Sequence, residues 1–136
     1  MSDNYKKAIP VPGPESVPFW EGAKNHQLMA QKCLRCHHHW FPPSSVCTSC
    51  GSRDIEWVAL SGKGTVFSFV VFHRLYHQGW DGEIPYVVGV IELKEGARML
   101  SNVIGVPVEN VKCDMPVEVV FDDVTEKLTL PKFKPV

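Results

Sequence analysis

The sequence predicts a mainly β protein in three parts: an extended segment and short helix (residues 1–26), a four-cysteine zinc ribbon (27–60) and a five-stranded barrel of the OB type (61–136). Two observations carry this. Two Cys-x-x-Cys pairs, Cys33/Cys36 and Cys47/Cys50, stand with ten residues between them. After them come about five short stretches rich in β-branched and aromatic residues, broken by turn signals and with no long helical pattern between them. A small all-β domain with that strand count closes most readily into a barrel, and closure removes exposed sheet edges.

The elements follow in order. Ile9 to Pro18 holds four prolines and a glycine, so it reads as an extended surface segment, with disorder the bland alternative for the first dozen residues. Ser16 stands where a helix N-cap belongs, and Val17-Pro18-Phe19 opens a short helix. The adjacent Phe19 and Trp20 are its bulky residues and its docking face, either for the chain's own ribbon or for a partner subunit. His26 to Lys32 reads as a strand into the first knuckle, and Ile55 to Leu60 as a strand out of the second. Gly62-Lys63-Gly64 reads as a turn. The barrel strands are then Thr65–His73, Tyr86–Leu93, Arg98–Val106, Val117–Asp122 and Leu128–Phe133. Gly89 marks a bulge or bend in the second, and Pro131 assigns the last to an edge.

The cysteine pattern points to a metal. Each Cys-x-x-Cys places two sulfurs on one tight turn, and two such turns face to face complete a tetrahedron suited to Zn²⁺ at about 2.3 Å. Iron is the alternative metal, because rubredoxin-type sites also use four thiolates. Four protein ligands leave no open position, so the ion is expected to be structural. His37, His38 and His39 could substitute for a cysteine, but four cysteines already suffice. Trp40-Phe41-Pro42-Pro43 is a stiff apolar segment expected to cover the knuckles.

Totals exclude several classes. Hydrophobic residues make up 44%, enough for a packed core. The formal net charge is −1, from 14 basic and 15 acidic residues, which argues against a nucleic-acid binder. The runner-up function is nevertheless a single-stranded nucleic-acid-binding ribbon and OB-fold, because OB barrels stack bases on aromatic side chains. No stretch reaches the length of a membrane span, and the first residues lack the apolar run of a signal peptide. Reduced cysteines used this way fit a cytoplasmic setting.

The order PFWEGAKNHQLMAQKCLRC, FPP, CTSCGS, LSGKGTVFSFVVFH and IPYVVGVIELKEGARMLSNVIG resembles the DUF35 family, from about Pro18 to Phe121. That resemblance implies an N-terminal helical segment, a rubredoxin-like zinc ribbon and an OB-fold. It also implies an acyl-CoA-associated accessory subunit working with a thiolase-fold enzyme, either a thiolase such as benzoylsuccinyl-CoA thiolase or a retro-aldol lyase, in a heterotetramer. The family commonly has glycine after the second cysteine, where His37 stands here.

The residues agree with a non-catalytic role. Cys113, the fifth cysteine, enters a barrel strand with no histidine near it in sequence and reads as an inert buried thiol. His26, His73 and His77 are candidate bases only in type. No nucleophile elbow, phosphate loop or dinucleotide fingerprint is present. Coenzyme A needs an apolar shelf for adenine and cations for its phosphates. Lys32, Arg35, Trp40 and Phe41 around the knuckles, or His73, Arg74, Tyr76, His77 and Trp80 in the long segment between strands, could supply these or form the partner interface, where such residues are enriched.

Overall fold

A computed structural model describes residues 5–136, and the expected N-terminal disorder therefore falls partly outside the described residues. The order of elements is α1 (Val17–Lys24), β1 (Met29–Cys33), β2 (His39–Trp40), β3 (Ile55–Ala59), β4 (Lys63–Phe72), β5 (Tyr86–Leu93), β6 (Arg98–Val103), β7 (Pro116–Asp123) and β8 (Thr129–Pro135). β2, β1 and β3 form a three-stranded antiparallel sheet with β1 in the middle. The other five close a barrel in the order β4-β5-β6-β8-β7, the topology of an OB-fold.

The alternation in the sequence sets the barrel interior. Along β5, Val87, Gly89, Ile91 and Leu93 are buried and their neighbours are half-buried. Val87, Ile91 and Leu93 meet Val66, Val103, Val117 and Phe133 in one core cluster, which Leu28, just before β1, also joins. Burying a side chain of this kind stabilises by about 1.5–3 kcal/mol, so this cluster dominates the fold.

Three local readings change in the barrel. Gly62 is the turn residue, with φ +79°, whereas Gly64 lies inside β4, paired with Leu93 on one side and Val117 on the other. A Cβ there would collide with the Glu92 carbonyl, so glycine serves close strand approach, not a turn. Gly89 is in register with Phe69 and Ser101, and the bulge sits instead on β4 between Val66 and Ser68. β8 lies between β7 and β6, not at an edge. Pro131 is tolerated because β8 meets β6 at a single pair, Val103↔Phe133, so no β6 backbone carbonyl waits for its missing N–H. The Pro131 carbonyl accepts from the Ser101 hydroxyl at 2.8 Å.

Helix α1 is pinned rather than capped. The Ser16 hydroxyl donates back to the Gly13 carbonyl at 3.0 Å instead of accepting a helix N–H, after a 3-10 turn at Pro14–Ser16. Beyond the helix, His26 takes φ +59°, stacks on Phe121 at 5.2 Å and places Nε2 3.1 Å from both Asp123 carboxylate oxygens. The Thr129 hydroxyl, then His26, hold the Asp123 carboxyl below its ordinary pKa. His26 is thereby a structural tie. Cys113 is exposed in the turn before β7, because Asp114 turns the chain with φ +67° before the strand begins, which corrects its reading as a buried thiol. Among the described residues no helix is long and apolar enough to cross a membrane.

Candidate metal centre and surrounding surfaces

β1 delivers Cys33 and β2 leaves two residues past His37, so a strand pair holds the first knuckle. The second sits in a loop between Trp40 and Ile55. The four sulfurs all lie within 4.8 Å of one another, with Cys33–Cys50 at 3.6 Å and Cys36–Cys47 at 3.5 Å. Sulfurs each about 2.3 Å from one ion would lie about 3.8 Å apart, so the donor set is close to that of a four-thiolate ion. No histidine belongs to the cluster.

The two knuckles share one hydrogen-bond plan. Cys33 Sγ accepts from the N–H of Arg35 and Cys36, each at 3.4 Å. Cys47 Sγ accepts from Ser49 at 3.3 Å and Cys50 at 3.4 Å. The chain closes behind each: Cys33 N–H donates to His38 O and His37 N–H to Cys33 O, both at 2.9 Å, while Cys47 N–H donates to Ser52 O at 2.8 Å and Gly51 N–H to Cys47 O at 3.0 Å. Such N–H groups favour thiolate. The Cys36 N–H is the main cause that lowers the Cys33 thiol to about 6 against the cost of burial. Burial opposes the Cys47 thiolate, but the N–H groups of Cys50 and Ser49 lower it on balance. The His38 N–H favours the Cys36 thiolate, yet burial and the crowding sulfurs push that thiol up to about 12. Four thiolates this close repel one another, and a central dication would offset that repulsion.

Trp40 covers the centre as expected, packed with Cys33 and Cys47 and flanked by Ile55. Its indole N–H has no hydrogen-bond partner. His38 stacks on the Trp40 ring at 5.7 Å and reaches the Thr48 hydroxyl at 3.1 Å, linking the two knuckles. Sequence reading missed Gln31. Its buried Oε1 accepts the Ser44 N–H at 2.7 Å and ties the approach to the second knuckle onto β1. A glutamine on the buried face of a strand was the available signal.

The residues grouped around the knuckles separate. Trp40 is buried, Lys32 is half-buried on β1 opposite His39 and Glu56, and Arg35 is exposed on the first knuckle. Phe41 turns away to meet Phe19 edge-on at 5.8 Å, and Phe19 meets Trp20 at 5.0 Å. These three, with Pro42, Pro43, Met99 and Leu100, line an open apolar groove of about 450 Å³.

The long loop does assemble. Trp80 stacks on Tyr86 at 4.0 Å, Tyr86 on Phe72 at 5.2 Å, and Tyr76 meets Phe72 edge-on at 5.9 Å with Arg74 over its ring. His77 Nδ1 accepts the Gly79 N–H at 2.9 Å, a local bond that shapes the loop, while His73 is exposed. The N-terminal segment, where disorder is the alternative reading of the first dozen residues, lies on this loop: Lys7 pairs with Glu83 at 2.7 Å and sits 4.5 Å from the centre of the Trp80 ring.

A short helix, a rubredoxin-like four-cysteine ribbon and an OB barrel together define a recognisable two-module class. The family model for the rubredoxin-like zinc ribbon domain of ChsH2 matches residues 20–56, and that for the C-terminal OB-fold domain of ChsH2 matches residues 57–122. A DUF35 domain-containing scaffold protein of Methanocaldococcus jannaschii is 34% identical over 112 residues, 81% of this chain and 79% of that protein. The chain belongs to the DUF35 family. A probable enoyl-CoA hydratase alpha subunit of Thermomonospora curvata is 38% identical over 118 residues, covering 86% of this chain but 36% of that protein, so the chain spans about a third of that relative. The benzoylsuccinyl-CoA thiolase subunit BbsA of Thauera aromatica is 31% identical over 99 residues, 73% of this chain and 66% of that protein. Among solved structures, a chain of the "Ltp2-ChsH2(DUF35) aldolase" is 35% identical with a TM-score of 0.84, covering 93% of this chain and 98% of that one.

Proposed function

We propose that this chain is the accessory subunit of a two-component enzyme that cleaves a carbon–carbon bond in an acyl-CoA, with the chemistry on a thiolase-fold partner. The observation that carries this is the match, nearly end to end, to a chain of the Ltp2-ChsH2(DUF35) aldolase. Retro-aldol rather than thiolytic cleavage is the reading taken because the aldolase chain is covered over 98% of its length and the benzoylsuccinyl-CoA thiolase subunit over 66%. A retro-aldol step needs a base for the β-hydroxyl proton and donors for the enolate oxygen; both belong to the partner in this reading.

The chain's own contribution is shape. Zinc, held by Cys33, Cys36, Cys47 and Cys50, fixes the ribbon and takes no part in the reaction, because the four thiolates close its coordination. The extended segment and helix (1–26), ribbon (27–60) and barrel (61–136) act as one scaffold. The exposed Arg74 and Tyr76, and Arg35 on the first knuckle, face the partner or the coenzyme A it holds. The complex is a heterotetramer, two of each subunit, in the cytoplasm.

The test is purification of the chain from its host with identification of what co-elutes, followed by assay of both components. The chain alone should not cleave a 3-hydroxyacyl-CoA, the pair should, and light scattering should give a two-plus-two mass. Cleavage by the isolated chain, or elution without a CoA-ester lyase, overturns the reading.

A further inference from the structure

The outer face of β4, β5 and β6 is apolar where a solvated barrel strand would be polar. Cross-strand rows place Ser68, Val90 and Leu100 side by side, and next to them Val70, Val88 and Asn102. Leu100 is 69% exposed, Val70 54% and the bulge residue Phe67 47%. The groove beside α1 opens onto the same face, since Val90 and Leu100 also line it. In OB-folds this face, on the second and third strands, is a customary ligand surface.

Charge selects the occupant. Between Thr65 and Phe72, Tyr86 and Glu92, and Arg98 and Asn102, the charged residues are Glu92 and Arg98. These neutralise each other at 2.8 Å, and Arg98 lies over the Phe67 ring at 3.8 Å. A phosphate backbone would find no free cation here, whereas an uncharged apolar protein surface would find a matching one. Three strands about 4.8 Å apart, over six steps of about 3.3 Å along β5, give a face of about 300 Å². That is over a third of the roughly 800 Å² each side of a standard interface buries, and the groove extends it. Since the aldolase chain is covered over 98% of its length, the surfaces by which it could meet a partner have counterparts here.

We infer that the outer β4–β5–β6 face, with the α1 groove as its continuation, is where the catalytic subunit docks, through an uncharged apolar surface centred on Leu100 and Val70. This rests on the accessory-subunit reading. The experiment measures binding of the identified, co-purified CoA-ester lyase to the wild-type chain and to Leu100→Asp and Val70→Asp. Both side chains are exposed, so metal content and circular dichroism should match wild type, as should those of Lys127→Glu, a control on the β7–β8 turn. Each aspartate should weaken binding by about a hundredfold, with the control unchanged. Unchanged binding by both aspartate variants overturns this face and leaves the accessory reading standing. A wild-type chain that does not bind the lyase overturns both. Tight binding of single-stranded DNA at low salt, lost in Leu100→Asp, would assign the face to nucleic acid and overturn the inferred occupant.

Discussion

The two knuckles have the same hydrogen bonds and unequal support. The first, Cys33 to His38, is the end of a strand that pairs with β3 over five residues and with β2 over two. The second, Cys47 to Ser52, belongs to no strand. It is held by the sulfurs, by the His38–Thr48 contact and, further back, by Gln31. One turn geometry has therefore been reached from CLRCHH with sheet support and from CTSCGS with little beyond the metal. The β1–β3 pairing should therefore outlast loss of the ion, and the second knuckle should not.

Loss of the metal is the strongest way to break that equivalence. Structural zinc supplies about 10–16 kcal/mol of apparent binding free energy in small ribbon-like modules, and a missing thiolate forfeits most of it. Cys33→Ser and Cys47→Ser should both lose the ion, measured by metal analysis. Hydrogen exchange should then distinguish the two regions. Amides of residues 44–52 should exchange freely, while those of β1 and β3 keep part of their protection and the barrel keeps all of it. If β1 and β3 lose protection together with residues 44–52, the ribbon is one metal-dependent unit and the asymmetry is wrong.

A smaller effect tests the tether. Gln31 is 7% exposed and its side-chain oxygen satisfies the Ser44 N–H. In Gln31→Ala that N–H loses its partner, at a cost of about 1–2 kcal/mol. The second knuckle should loosen before the first, so a chelator should remove the ion about tenfold faster with the β1–β3 amides unaffected. An unchanged release rate would mean that the sulfurs alone position the second knuckle.

Much of this was legible before any coordinates. Cysteine spacing announces the centre because a Cys-x-x-Cys turn is local, and the alternation of YVVGVIEL announces β5 because one face of it is buried. What stayed hidden depends on partners distant in sequence. Pro131 reads as an edge by the local rule, which does not know that β6 meets β8 at one pair. Gly89 reads as a bulge until its in-register neighbours are known, while the bulge beside Phe67 leaves no mark in the sequence. The knuckle cover Trp40 and the adjacent helix residues Phe19 and Trp20 stood out as aromatics, and Phe41 turned out to pack with the latter. Leu100 did not stand out, because a leucine in RMLSNV looks like core until the barrel direction decides which face Met99 and Val103 occupy.

The smallest prediction concerns the residue that ends each knuckle. His37 has φ +64° and Gly51 has φ +77°, so both backbones are left-handed at the same place in the same turn. A residue with a Cβ is strained there by about 1 kcal/mol, and glycine is not. His37 is exposed, and an added Cβ at Gly51 would meet nothing within 4 Å, so conformation rather than packing decides both sites. His37→Gly should therefore stabilise the metal-bound ribbon by about 1 kcal/mol or less, and Gly51→His should destabilise it by a similar amount, in denaturant titrations of the metal-loaded chain. The double variant should return close to wild type, because the two turns make separate hydrogen bonds. If His37→Gly destabilises instead, the imidazole contributes a contact that offsets its backbone strain, and the first knuckle is held by its side chains as well as by its strand.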